Sequence, residues 1–158
     1  MEENYITILI QSLEKKLSVL EEVSSENQKE RQILLEEELD LDAFQAAIDR
    51  KAQLIEQIGF LDDGFEKLYE HVKDTLNQSK QTYEQEIIRL KELISQITEL
   101  TVSIQKEELD NRNLAEQHFS GMKKKTRQMK TSKQVATQYY QNMAKLNVIE
   151  PQFMDKKK

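Results

Sequence analysis

The chain has 158 residues, 33% of them charged and only 37% hydrophobic, with three glycines, one proline, no tryptophan, no cysteine and a net charge of −6. Such a composition predicts long helices with narrow apolar stripes and argues against a compact core of ordinary depth, and the lack of cysteine excludes disulfides and thiolate metal sites. The acidic start Met1-Glu2-Glu3-Asn4 is unlike a secretory signal, and no run reaches the roughly 18 apolar residues of a membrane span, so a cytoplasmic protein without membrane insertion is expected.

In chain order, the first predicted helix covers 4–38. Ile6, Leu13, Leu20, Asn27 and Leu34 recur every seven residues, and Leu9, Lys16, Val23 and Glu30 stand three residues after the first four of them. That is a coiled-coil seam whose apolar content decays along its length. Ile10 and Leu17 widen it, as in a helix with more than one neighbour. Residues 38–42 interrupt the pattern. Asp42, with Gln45 three residues on, is the expected N-cap of a second, antiparallel helix.

The second stretch begins near Ala43, with Phe44, Ile48, Leu54, Ile58, Leu61, Phe65, Leu68, Val72 and Leu76 as its stripe. Gly59 and Gly64 fall inside it and suggest a bend or a short interruption. From Tyr83 a cleaner stripe runs through Ile87, Leu90, Ile94, Ile97, Thr101 and Ile104, then turns polar at Glu108, Asn111, Ala115 and His118, where fraying or a wet neighbour is expected. If 42–118 is one helix, the 83–104 stripe lies beyond the reach of the first helix and pairs with a second copy of the chain. If the chain folds back at 59–64, three helices cover one another in a monomer. The fold class is all-α: an elongated antiparallel helical hairpin or coiled coil, a long third helical stretch and a mobile C-terminal tail.

The charge divides the chain in two. Residues 1–120 hold 27 acids and 13 bases, and residues 121–158 hold 2 acids and 10 bases. The expected units are an acidic coiled-coil body over 1–120 and a basic, partly disordered tail over 121–158, with an amphipathic helix at about 133–146. That helix carries Val135, Ala136, Tyr139, Tyr140, Met143 and Leu146 at helical spacing, and Phe153 follows after Pro151. An apolar face on a segment too short to be stable alone points to protein binding, so these seven residues are the candidate partner-binding set. A competing reading folds the tail back on its own acidic body. Nucleic acid fits poorly, since the basic run at 123–130 has no aromatic residue and the acidic body repels phosphate.

Catalytic chemistry lacks its inventory. There is no glycine-rich phosphate loop and no nucleophile elbow. Glu-x-x-His, which a di-iron bundle needs, fails at both histidines, because Leu68 and Ala115 stand three residues before His71 and His118. No enzyme activity, cofactor or metal is expected.

Three segments resemble the flagellar export chaperones of the FlgN type. Glu-Glu-Glu-Leu-Asp-Leu-Asp-Ala-Phe at 36–44 with Lys51-Ala52-Gln53-Leu54-Ile55 is similar to that family's connection and second helix. Asn111-Arg112-Asn113-Leu114 is similar to its Asn-Arg element, and Val135 to Met143, closing in Asp155-Lys156-Lys157-Lys158, to one branch's ending. Many relatives have Tyr followed closely by Gly in the tail; here Gln141 follows Tyr140. The resemblance implies a type III secretion chaperone that keeps hook–filament junction proteins export-competent, engages export-apparatus components, and grips cargo through a C-terminal region that is mobile when unbound. The alternative is a structural coiled-coil scaffold or adaptor acting through the 83–104 stripe.

Overall fold

The computed structural model describes residues 2–122 and 126–144. They form four α-helices: α1 (Glu2–Leu35), α2 (Leu41–Gln78), α3 (Glu84–Gly121) and α4 (Arg127–Ala144). At about 1.5 Å per residue the first three are roughly 50–57 Å long and α4 about half that.

The seam of α1 is buried at every expected position, polar ones included: Ile6, Leu9, Leu13, Lys16, Leu20, Val23, Asn27, Glu30 and Leu34. Ile10 and Leu17, at the flank, are half-buried, because α1 packs against both α2 and α3. It runs antiparallel to α2, with Lys16 paired to Asp62 at 2.7 Å and Arg50 to Glu22 at 3.1 Å. It runs parallel to α3, as Arg89 to Glu14 at 3.1 Å and His118 Nε2 on the Leu34 carbonyl at 2.7 Å require. α4 closes the bundle at one end, against α2 and α3.

Three expectations about breaks are corrected. The N-cap of α2 is Asp40, not Asp42: its carboxylate accepts the Ala43 amide at 3.1 Å, and Asp42 lies in the first turn. There it faces the positive end of the helix dipole. Second, α2 runs unbroken through Gly59 and Gly64. Both glycines are exposed and touch nothing that a Cβ would meet, while Ile58, Phe65, Tyr69 and Val72 stay buried on the opposite side. Third, the chain folds back at 79–83. Between Leu76 and Tyr83 the sequence is Asn-Gln-Ser-Lys-Gln-Thr, with nothing apolar to bury, so the helix has no reason to continue. Ser79 ends α2 with its amide on the Thr75 carbonyl at 2.9 Å.

This turn decides where the 83–104 stripe goes. Leu90, Ile94, Ile97, Thr101 and Ile104 are buried within the chain, against α1. The ground for pairing a second chain through that stripe is removed, and with it the surface on which a scaffold would rely.

Candidate functional site

At the closed end, polar residues occupy the seam positions of three helices at one level. Asn27 and Glu30 come from α1, Lys51 from α2, and Glu108 and Asn111 from α3, all buried. Lys51 is the centre. Its ammonium donates to Glu108 Oε1 at 2.8 Å and to Asn27 Oδ1 at 2.8 Å, and it pairs with Glu30. Asn27 Nδ2 donates to Glu107 Oε1 at 3.0 Å, and Asn111 Nδ2 to the Asn27 carbonyl at 3.2 Å. Ser24 Oγ adds a bond to Glu107 Oε2 at 3.0 Å.

α4 enters this cluster with two phenols. Tyr139 donates to Glu108 Oε2 at 2.6 Å, and Tyr140 donates to Glu30 Oε2. The Lys51 ammonium stands 4.5 Å from the Tyr139 ring centroid and 5.8 Å from that of Tyr140, close enough for a cation–π attraction with both rings. The two rings meet edge to face at 5.6 Å. Burial raises Glu108 above the ordinary carboxylate range, and Lys51 only partly opposes this. Burial, then the Glu108 charge, pushes Tyr139 far above the usual phenol range; burial, then Glu30, does the same to Tyr140. Both phenols therefore remain donors. Each carboxylate has the ammonium on one oxygen and a phenol on the other, an arrangement that fixes helices in place.

The rest of α4 docks around these bonds. Met129, Ser132, Ala136 and Met143 are buried with the tyrosines. Thr126 Oγ1 accepts the Met129 amide at 3.2 Å, and Gln128 donates to Asp42 at 2.6 Å. The helix begins six residues before the expected 133, in what reads as a basic linker. Of the sequence-predicted partner-binding residues, Ala136, Tyr139, Tyr140 and Met143 face the chain's own body, and Val135 is half-buried at the edge. Leu146 and Phe153 lie outside the described residues, as do residues 123–125 and 145–158 of the expected tail. In the structure α4 is docked, the arrangement of the competing reading. The expected fraying of α3 near 110–120 is also corrected: α3 is helical to Gly121, with Glu108 on Lys51 and Tyr139, Asn111 on the Asn27 carbonyl and His118 on the Leu34 carbonyl.

Sequence reasoning missed Glu30, Lys51 and Glu108 as a unit. The signal was present, since seam positions of α1 and α3 turn polar at matching levels, but reading each stripe by itself made that a decay.

Clefts flank α4 on both sides. One of about 530 Å³ lies towards α2, between Ile48, Ala52 and Ile55 and α4's Val135, Tyr139 and Met143. One of about 300 Å³ lies towards α3, with Arg112, Glu116 and Lys133 at its rim. Among the described residues no group of three or more His, Asp or Glu could hold a metal ion, and no helix is long and apolar enough to cross a membrane.

No curated protein and no solved structure matches the chain. The family model described as FlgN protein matches residues 1–147, the three long helices and α4 together, and the chain belongs to this family of flagellar export chaperones.

Proposed function

We propose that this chain is the cytoplasmic chaperone of hook–filament junction proteins, binding them without catalysis and keeping them competent for flagellar type III export. The observation that carries the reading is the family match, which continues through α4 to residue 147. The physical task is to cover an apolar, aggregation-prone surface of the cargo until release. The α4 end of the bundle supplies the means: Val135, Ala136, Tyr139, Tyr140 and Met143 are gathered on one short helix beside open clefts, with Leu146 and Phe153 beyond it in sequence. Ala136, Tyr139, Tyr140 and Met143 are already buried against the chain's own body, so new burial by a cargo, about 1.5–3 kcal/mol for each large apolar side chain, comes from the cleft walls and from the cargo's own residues. Displacing Tyr139 and Tyr140 would cost their bonds to Glu108 and Glu30, so cargo binds beside a docked α4, with moderate affinity and feasible release. Export-apparatus components are a second class of partner.

The test is co-purification of the full chain with each hook–filament junction protein encoded in the same genome. Stable recovery of at least one is expected. Recovery of none, with the chaperone folded, overturns the reading.

A further inference from the structure

The cleft between α2 and α4 has an asymmetry that the cargo reading does not use. α2 and α4 run parallel, since Gln128 meets Asp42 at one level and Tyr139 covers Lys51 at another. The channel between them is therefore bounded by two roughly parallel helices, the geometry into which a third helix packs by ridges and grooves. Its floor is apolar, and Ala52, small and exposed, leaves it open.

The two rims differ in charge. On α2, Asp42, Asp49, Glu56 and Asp63 recur every seven residues, so they share one edge of the helix. All four are exposed, and Asp49 lines the cleft itself. Asp42 is held by Gln128 and Asp49 by Gln45. Among the described residues none of Asp49, Glu56 and Asp63 forms an ion pair with a base. On α4 the rim is uncharged, made of Gln134, Gln138 and Asn142, while Lys133 is turned towards α3.

We infer that this channel is a docking site for one amphipathic helix of the partner, with an apolar stripe, lysine or arginine along the edge facing α2, and uncharged polar residues along the edge facing α4. The acidic rim selects the basic edge and speeds the encounter, and the apolar floor holds the helix. This rests on the chaperone reading, in that the helix belongs to the cargo. It also makes the docked position of α4 the receptive one, because α4 forms one wall.

The experiment uses isotope-labelled full-length chain and a designed helical peptide of three heptads, with leucine at a and d and lysine along one edge, against a twin with glutamate there. The lysine peptide should move the backbone resonances of Asp49, Ala52, Val135 and Asn142, and the twin should bind at least about tenfold more weakly. Ala52→Arg, which fills the channel from an exposed position, should abolish binding with helicity unchanged. Asp49→Lys with Glu56→Lys should reverse the preference between the twins. Shifts confined to another face, or equal affinity for both peptides, overturn the proposal. A rise of about tenfold in peptide affinity on Phe153→Ser with Met154→Ser would mean that the chain's own terminus fills the channel, and overturns it too. Junction proteins form a second arm. Wild type binding one of them while Ala52→Arg does not supports the proposal. Equal binding by both removes the channel as cargo site and leaves the chaperone reading standing. If none binds wild type while the lysine peptide behaves as expected, the chaperone reading falls and the helix site stands.

Discussion

The two ends of the bundle use the same seam geometry, but only the end that α4 closes sets a cluster of buried charges into it. In the half without α4, seam positions are almost all apolar: Ile6, Leu9, Leu13, Leu20 and Val23 on α1, Ile58, Phe65, Tyr69 and Val72 on α2, Leu90, Ile94 and Ile97 on α3. Lys16 and Thr101 are the polar exceptions there. In the half that α4 closes, Leu34, Phe44, Ile48 and Phe119 are buried too, but between them the seam carries Asn27, Glu30, Lys51, Glu108 and Asn111. Apolar burial is non-directional and rewards area. Hydrogen bonds to buried charges have fixed partners, so they specify which helix docks and at what level. The fourth helix is short and joined through a basic linker, and it docks where the directional chemistry is.

The sharpest way to break this comparison is to remove one lysine from each end. Lys51 has no exposed surface and sits between two carboxylates that are themselves buried. Lys51→Met leaves Glu30 and Glu108 buried without a cation, and the expected loss is about 3–5 kcal/mol by urea denaturation. Lys16 pairs with Asp62, whose side chain is 22% exposed and can take up water when the ammonium goes. Lys16→Met should therefore change stability by less than about 1 kcal/mol. Equal losses at the two sites would mean that the Lys51 cluster is only another seam ion pair.

Tyr140→Phe comes next. It keeps the ring and removes the donor to Glu30, a hydrogen bond to a charged group, with an expected loss of about 1.5–3 kcal/mol. The informative readout is hydrogen exchange. Amides of α4 should lose protection while those of α1 facing α2 and α3 keep theirs, because the apolar half does not depend on α4. Uniform loss over all four helices would show a single cooperative unit instead.

Glu108 gives the comparison a pH axis. Its folded-state pKa is raised above the ordinary glutamate value, chiefly by burial. As pH rises past the ordinary glutamate value, the unfolded chain releases this proton while the folded chain still holds it, so the native state binds more protons and stability falls as pH rises. The slope from this one group is at most about 1.4 kcal/mol per pH unit, and it ends once Glu108 has ionised in the folded chain. Glu108→Gln should flatten the wild-type curve over that window; parallel curves would remove Glu108 as the titrating group.

Much of the bundle is legible in sequence because a seven-residue repeat states which face is covered. All nine seam positions of α1 are buried as read, and the α3 stripe from Leu90 to Ile104 likewise. What covers a face is not stated by periodicity. The spacing of Ala136, Tyr139, Tyr140 and Met143 announces a buried surface, and what its two tyrosines meet is Lys51, Glu30 and Glu108 of the same chain. The turn at 79–83 was hidden because it lacks glycine and proline. The true signal was a polar run between Leu76 and Tyr83, which interrupts burial without any backbone device. Conversely, the two glycines that suggested a break lie on a solvent face, where loss of a side chain affects no packing.

That last point yields the smallest prediction. Glycine in a helix interior is less favourable than alanine by about 0.5–1 kcal/mol, through the entropy of the unfolded backbone. Gly59 and Gly64 are both exposed on α2, in helical conformation with no positive φ, and a Cβ at either would meet nothing within 4 Å. Gly59→Ala and Gly64→Ala should therefore each stabilise by about 0.5–1 kcal/mol. They lie five residues apart in sequence and share no contact, so the double variant should come close to the sum. Both belong to the half without α4, and the gain should appear in α2 exchange protection there while the Lys51 cluster is unchanged. A loss of stability at either position would mean that α2 needs glycine to bend in solution, and would return the interruption read from sequence to the molecule.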